Sequence, residues 1–109
     1  MRDAQHRVRL AILGDSIAYG LGASRSQDTL GARLARALAD HGYDVTVEVF
    51  AVSGARSADL ARQVDRAVAW TAEVAVLVVG ANDLTHLVPP DRAVADFGEA
   101  VRRLRAGRC

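Results

Sequence analysis

Ser16, Gly54 and Asn82 are the residues whose types and positions could do chemistry in this chain. Each sits in a short segment behind an apolar run: Gly14-Asp15-Ser16, Ala51-Val52-Ser53-Gly54 and Gly80-Ala81-Asn82-Asp83. A serine hydroxyl just past a strand, with glycine before it, can face a cleft as a nucleophile. It can equally cap a turn or a helix. A glycine can leave a backbone N–H uncovered by any side chain, or simply supply positive φ to a loop. An asparagine amide adds a further N–H donor. No one of these signals is specific; the inference rests on their meeting in one place.

The elements that must position them follow from the apolar pattern. Val8–Leu13, Val45–Phe50 and Val74–Val79 read as strands, the second alternating like an edge strand and the third continuously apolar, as in a strand covered on both faces. Leu30, Leu34 and Leu38 recur at helical spacing within 27–41, with Gly42 as the stop. A second helix carries Leu60, Val64 and Val68 to about Trp70, capped by Ser57. A third, capped by Asp91 after Pro89-Pro90, carries Val94, Phe97, Val101 and Leu104 and ends at Gly107. The order β-α-β-α-β-α implies a parallel sheet. Ligands of open α/β sheets bind beyond the carboxyl ends of the strands, where the hydroxyl, the glycine and the amide gather.

Gly14-Asp15-Ser16-Ile17-Ala18-Tyr19-Gly20 resembles the first block of the SGNH (GDSL-type) hydrolases, Gly54 in its Ala-Val-Ser-Gly-Ala setting the second, and Gly80-Ala81-Asn82-Asp83 the third. The blocks occur in order, each after its own strand. The resemblance implies a flavodoxin-like α/β three-layer sandwich with strand order 2-1-3, represented here by its first three β-α units. It implies an esterase, lipase or acylhydrolase that works through an acyl-enzyme on Ser16. The Ser16 N–H, the Gly54 N–H and the Asn82 side chain would then form the oxyanion hole, with Asp15 and Gly80 in supporting places. No cofactor and no metal are implied. Asp15 and Asp83 read more simply as turn carboxylates accepting neighbouring N–H groups. Arg56 reads as a helix-start arginine, with contact to an acidic substrate group as its alternative; Tyr19 and Leu21 are candidates for the acyl side of the cleft.

A serine alcohol needs a base beside it. The family supplies an Asp-x-x-His pair near its C-terminus, and residues 1–109 are expected to be a partial domain without that block. Asp83-Leu84-Thr85-His86 has the same spacing, which makes His86 a candidate base. It lies directly after the Asn82 block, where a rim histidine is the more ordinary role. His6 and His41 fall away from the expected cleft. Two alternatives stay open: a non-catalytic flavodoxin-like module binding a small ligand, and an inactive fragment.

Composition narrows the partners. With 14 basic and 13 acidic residues the net charge is +1, too little to recruit nucleic acid. Every basic residue is arginine, so lysine-dependent phosphate loops and Schiff-base chemistry are excluded. One cysteine, Cys109, makes neither an internal disulfide nor a thiolate metal cluster. Gly20-Leu21-Gly22-Ala23-Ser24-Arg25 lacks the last glycine of a dinucleotide fingerprint, and Gly14-Asp15-Ser16-Ile17-Ala18 is not a Gly-x-Ser-x-Gly elbow. No apolar stretch approaches the ~20 residues of a membrane span, and no signal peptide is read, so a cytoplasmic protein is expected; the resemblance implies a small-molecule ester as its substrate. The open edge of strand 74–79 is a possible surface for self-association.

Overall fold

The computed structural model describes residues 7–15, 29–79 and 88–107. Three parallel strands, β1 (Arg7–Gly14), β2 (Asp44–Val49) and β3 (Val74–Val78), form one sheet in the order β2-β1-β3. Helices α1 (Leu30–Asp40), α2 (Leu60–Ala69) and α3 (Pro90–Ala106) connect or follow them, α2 being entered through a 3₁₀ turn at Ser57–Asp59. The α/β class and parallel sheet agree with the pattern of elements, and the 2-1-3 order agrees with what the resemblance implies.

Side chains alternate across the sheet and so divide the core into two. Leu10 and Ile12 point to one face, where Val45 and Val47 of β2 and Leu30 and Leu34 of α1 close over them. Ala11 and Leu13 point to the other, against Leu60, Val64 and Ala67 of α2 and Ala100 and Leu104 of α3. The helices therefore lie on both faces, which is the three-layer arrangement. β1 is central and its last five residues are all buried.

The strand β3 corrects one expectation. Its α2–α3 side packs Ala75 and Leu77 into the core, but the strand as a whole is only half-buried and Val74 is 44% exposed. α1 packs over β1 and β2, and Val76 and Val78 lie at the margin of that cluster. An unbroken apolar run thus marks a strand that is only half-buried on both faces among the described residues.

Helix ends differ from the sequence reading in informative ways. α1 starts at an extended Thr29 whose hydroxyl accepts from the Ala32 N–H, and stops as expected: the Gly42 N–H donates to Ala39 O and the Tyr43 N–H to Leu38 O. Ser57 is not a cap. It is the first residue of the 3₁₀ turn and is buried, while Asp59 Oδ2 accepts from the Arg56 N–H at 2.8 Å and holds the turn. Asp91 is not a cap either. Pro90 occupies the first helical position, where its missing N–H costs nothing, and Asp91 falls in the first turn, favourably placed against the helix dipole. Arg9, which interrupts the first apolar run, lies 4.2 Å over the Trp70 ring and donates from Nε to Trp70 O. It fastens the start of β1 to the end of α2.

Candidate active site

The carboxyl ends of the strands are joined by backbone hydrogen bonds with β1 in the middle. The Asp15 N–H donates to Val78 O at 2.9 Å, and the Val52 N–H donates to Gly14 O at 3.1 Å. The segment after β2 is held further by the Phe50 and Ala51 N–H groups, which both donate to Ile12 O. The order 2-1-3 thus sets the Gly14-Asp15 end of β1 between Val52, after β2, and Val78 of β3.

Gly14 permits this closure. Its φ is +133°, and a Cβ there would stand 1.9 Å from Val78 O. Only glycine allows β3 so near, and the close approach puts the Asp15 N–H in range of the Val78 carbonyl. A second clamp comes from α2. Gln63 Oε1 accepts from the Gly14 N–H at 2.7 Å while Gln63 Nε2 donates to Gly14 O at 3.0 Å. Gln63 is 3% exposed, so both amide groups spend their hydrogen-bonding capacity in a dry place. Asp15 is likewise buried and is not an unpaired charge. Its burial suits a structural place beneath the rim, in line with the simpler sequence reading.

Gly54 is built differently. The Ala55 N–H donates to Val52 O at 3.1 Å, closing a four-residue turn with Ser53 and Gly54 at its centre. Gly54 has φ +85° and Ser53 is not among the positive-φ residues, which makes this a type II turn. Among the described residues nothing lies within 4 Å of the place a Cβ would take. The Gly54 N–H donates to no group among the described residues. The turn therefore offers an uncommitted amide on an exposed surface, anchored at Val52 to the end of β1.

Beside this turn lies a groove of about 680 Å³, lined by Phe50, Val52 and Gly54 from the segment that follows β2 and by Ala58, Arg62 and Arg66 from the 3₁₀ turn and α2. Arg56 heads the 3₁₀ turn and is half-buried, the helix-start place expected of it. His41 caps the C-terminal end of α1 at the opposite end of the sheet, its Nδ1 3.0 Å from Ala37 O. It takes no part in the rim. Ser16, Gly80, Asn82 and His86, with Tyr19, Leu21, Asp83, His6 and Cys109, lie outside the described residues.

Gln63 is the residue the sequence reading missed. The signal was present: Leu60, Val64 and Ala67 form the buried stripe of α2, and Gln63 shares it. A polar side chain on an apolar stripe needs a buried partner, and here the partner is the peptide group of Gly14.

A model of the GDSL-like lipase/acylhydrolase family matches residues 12–108. The GDSL-like esterase Rv1075c of Mycobacterium tuberculosis is 35% identical over 107 residues, which is 95% of this chain and 34% of that protein. The crystal structure of TesA matches with a TM-score of 0.82 at 29% identity, over 93% of this chain and 56% of TesA. The psychrotrophic esterase EstA from Pseudoalteromonas sp. matches with a TM-score of 0.75 over 93% of this chain and 55% of EstA; at 19% identity this is a likeness of fold. The chain thus spans about a third of the curated relative and little more than half of each solved structure.

Proposed function

Because the chain belongs to the GDSL-like lipase/acylhydrolase family, we propose that it supplies the nucleophile and the oxyanion-binding part of a serine ester hydrolase. Ser16 Oγ attacks the ester carbonyl and its proton passes to a base. The tetrahedral oxyanion is held by the Ser16 and Gly54 N–H groups and the Asn82 amide. The C–O bond to the alcohol then breaks, and the alcohol leaves with the proton returned by the base. Water repeats the sequence on the acyl-enzyme and releases the acid. Each preorganised donor contributes on the order of 3–4 kcal/mol to such a transition state.

The observation that carries this reading is the Gly54 turn. It presents an N–H that donates to nothing among the described residues, on a loop hydrogen-bonded to Gly14, two residues before Ser16. An exposed amide on a loop anchored by the Val52 and Ala55 hydrogen bonds is placed to donate to a ligand oxygen. Gly80 and Asp15 complete the supports in this proposal.

The base is proposed to be an Asp-x-x-His pair outside these 109 residues. Without it a triad hydrolase keeps only the roughly 10³–10⁴-fold acceleration due to oxyanion donors and binding. The 109-residue chain alone is therefore expected to be nearly inactive. Esterase assays of this chain and of one extended through such a block check this; equal activity in both would transfer the role of base to His86. A fluorophosphonate probe tests the nucleophile, with adduct expected on Ser16 in the extended chain and none after Ser16→Ala. A cooperative melt with no labelling of that extended chain would favour a binding module instead.

The outer edge of β3 is further proposed as a contact for self-association, since β3 pairs only with β1 among the described residues. Sedimentation velocity should show a concentration-dependent species that Val74→Lys abolishes.

A further inference from the structure

The groove beside Gly54 has two kinds of wall. Phe50, Val52 and Ala58 line it with apolar surface, whereas Arg62 and Arg66 add two guanidinium groups from α2. These arginines stand four residues apart, on one side of the helix, and both are exposed. Neither side chain makes a hydrogen bond or an ion pair among the described residues. Other arginines are engaged, Arg102 with Glu99, Arg103 with Asp65 and Arg9 with Trp70, whereas Arg7, Arg92 and Arg105 resemble Arg62 and Arg66 in this respect but do not line the groove. Asp59 also lines the groove, but its Oδ2 accepts from the Arg56 N–H in holding the 3₁₀ turn. Like charges at this spacing weaken a helix slightly, so α2 carries the pair at a small cost.

We infer that this groove receives one arm of the ester and that Arg62 and Arg66 select esters bearing an oxyanion, phosphate or carboxylate, on that arm. The inference rests on the reading of Gly54 as an oxyanion donor. A carbonyl oxygen held at the Gly54 N–H leaves one substituent of the ester directed along the groove that Gly54 itself borders. Its first atoms meet the apolar surface, and its far end meets the guanidiniums. Guanidinium forks bind carboxylate and phosphate through paired N–H donors, a geometry that an ammonium does not provide. Arg62 and Arg66 are thus specificity-determining residues, outside the bond-breaking machinery.

Titration calorimetry of the 109-residue chain with octyl phosphate and octyl glucoside, below their micellar ranges, tests this. Octyl phosphate is expected to bind about tenfold tighter than the neutral octyl glucoside, with the preference weakening as salt rises. The preference should vanish in R62Q/R66Q and return in part in R62K/R66K, while circular dichroism of both variants stays that of the parent. Inorganic phosphate should bind more weakly than octyl phosphate, because it leaves the apolar wall unused. Octanoate separates the sources: binding equal to octyl phosphate assigns the subsite to carboxylates as well, and weaker binding assigns it to phosphates. Equal affinity for octyl phosphate and octyl glucoside, no saturable binding of octyl phosphate, or a preference surviving in R62Q/R66Q would overturn the inference. Its failure is distinguishable from that of the hydrolase reading. Ser16 labelling without oxyanion preference overturns the subsite alone, whereas oxyanion preference without labelling leaves an anion-binding groove and removes the catalysis.

Discussion

Gly14 and Gly54 stand at the ends of adjacent strands, and both have positive φ, yet they are glycines for opposite reasons. At Gly14 the surroundings are closed: the Val78 carbonyl occupies the space of a side chain, and Gln63 takes up both polar groups of the residue. At Gly54 the surroundings are open, and only the backbone angle of a type II turn demands glycine. The first is a joint that locks three strand ends together. The second is a mount that leaves an amide exposed. A rim that holds a reacting atom needs both, because a donor contributes most when it does not have to reorganise.

The contrast can be broken at its closed side first. Gly14→Ala drives a methyl group into Val78 O, 1.9 Å away, with no flexible side chain to yield. A loss on the order of 4–5 kcal/mol or more is expected, enough to abolish the cooperative urea transition. A normal transition in this variant would refute the joint. Gln63→Leu keeps the bulk of the side chain and strands the buried Gly14 N–H, while Gly14 O keeps the Val52 N–H. About 1–3 kcal/mol should be lost, read as a lower urea midpoint at unchanged slope.

At the open side the effect on stability is smaller and the effect on chemistry larger. Gly54→Ala finds free space for its methyl group and suffers only the left-handed backbone, so about 1 kcal/mol is expected in the same urea experiment. In a chain extended to include the base, Ser16 labelling by a fluorophosphonate should slow about tenfold or more, since a turn that relaxes toward negative φ re-aims its N–H. A stability loss as large as that of Gly14→Ala would erase the distinction. Thr71 sharpens it from outside the rim. It is the one non-glycine with positive φ among the described residues, at 61°, just past the end of α2. Thr71→Gly should raise stability by about 0.5–1 kcal/mol, the smallest change of the set and the only gain, because relief of strain is partly offset by a more flexible unfolded chain.

Much of this architecture was legible without coordinates. β3 announced itself by the six consecutive apolar residues Val74–Val79, β2 by strict alternation, and α1 by Leu30, Leu34 and Leu38, because periodicities of two and 3.6 are local consequences of backbone geometry. The helix starts were less legible. Ser57 and Asp91 are both good cap residues by type. The buried setting of one, and the proline directly before the other, changed their places by one or two positions. Gln63 was the hardest to read. Its place on the Leu60–Val64–Ala67 stripe marks it for burial, but its partner lies 49 residues away and no local pattern names it.

The sequence by itself determined which segments become strands and helices, their parallel order, and the family to which the chain belongs, since these follow from short-range pattern and from motifs of a few residues. Only the tertiary structure decided that Gly14 is closed and Gly54 open, that Gln63 clamps the strand end, and that Arg62 and Arg66 share a groove with Gly54. Those facts depend on the register that sets Gly14 opposite Val78 and on how α2 lies across the sheet. Such distances are fixed by packing among residues far apart in the chain, and no local periodicity encodes them.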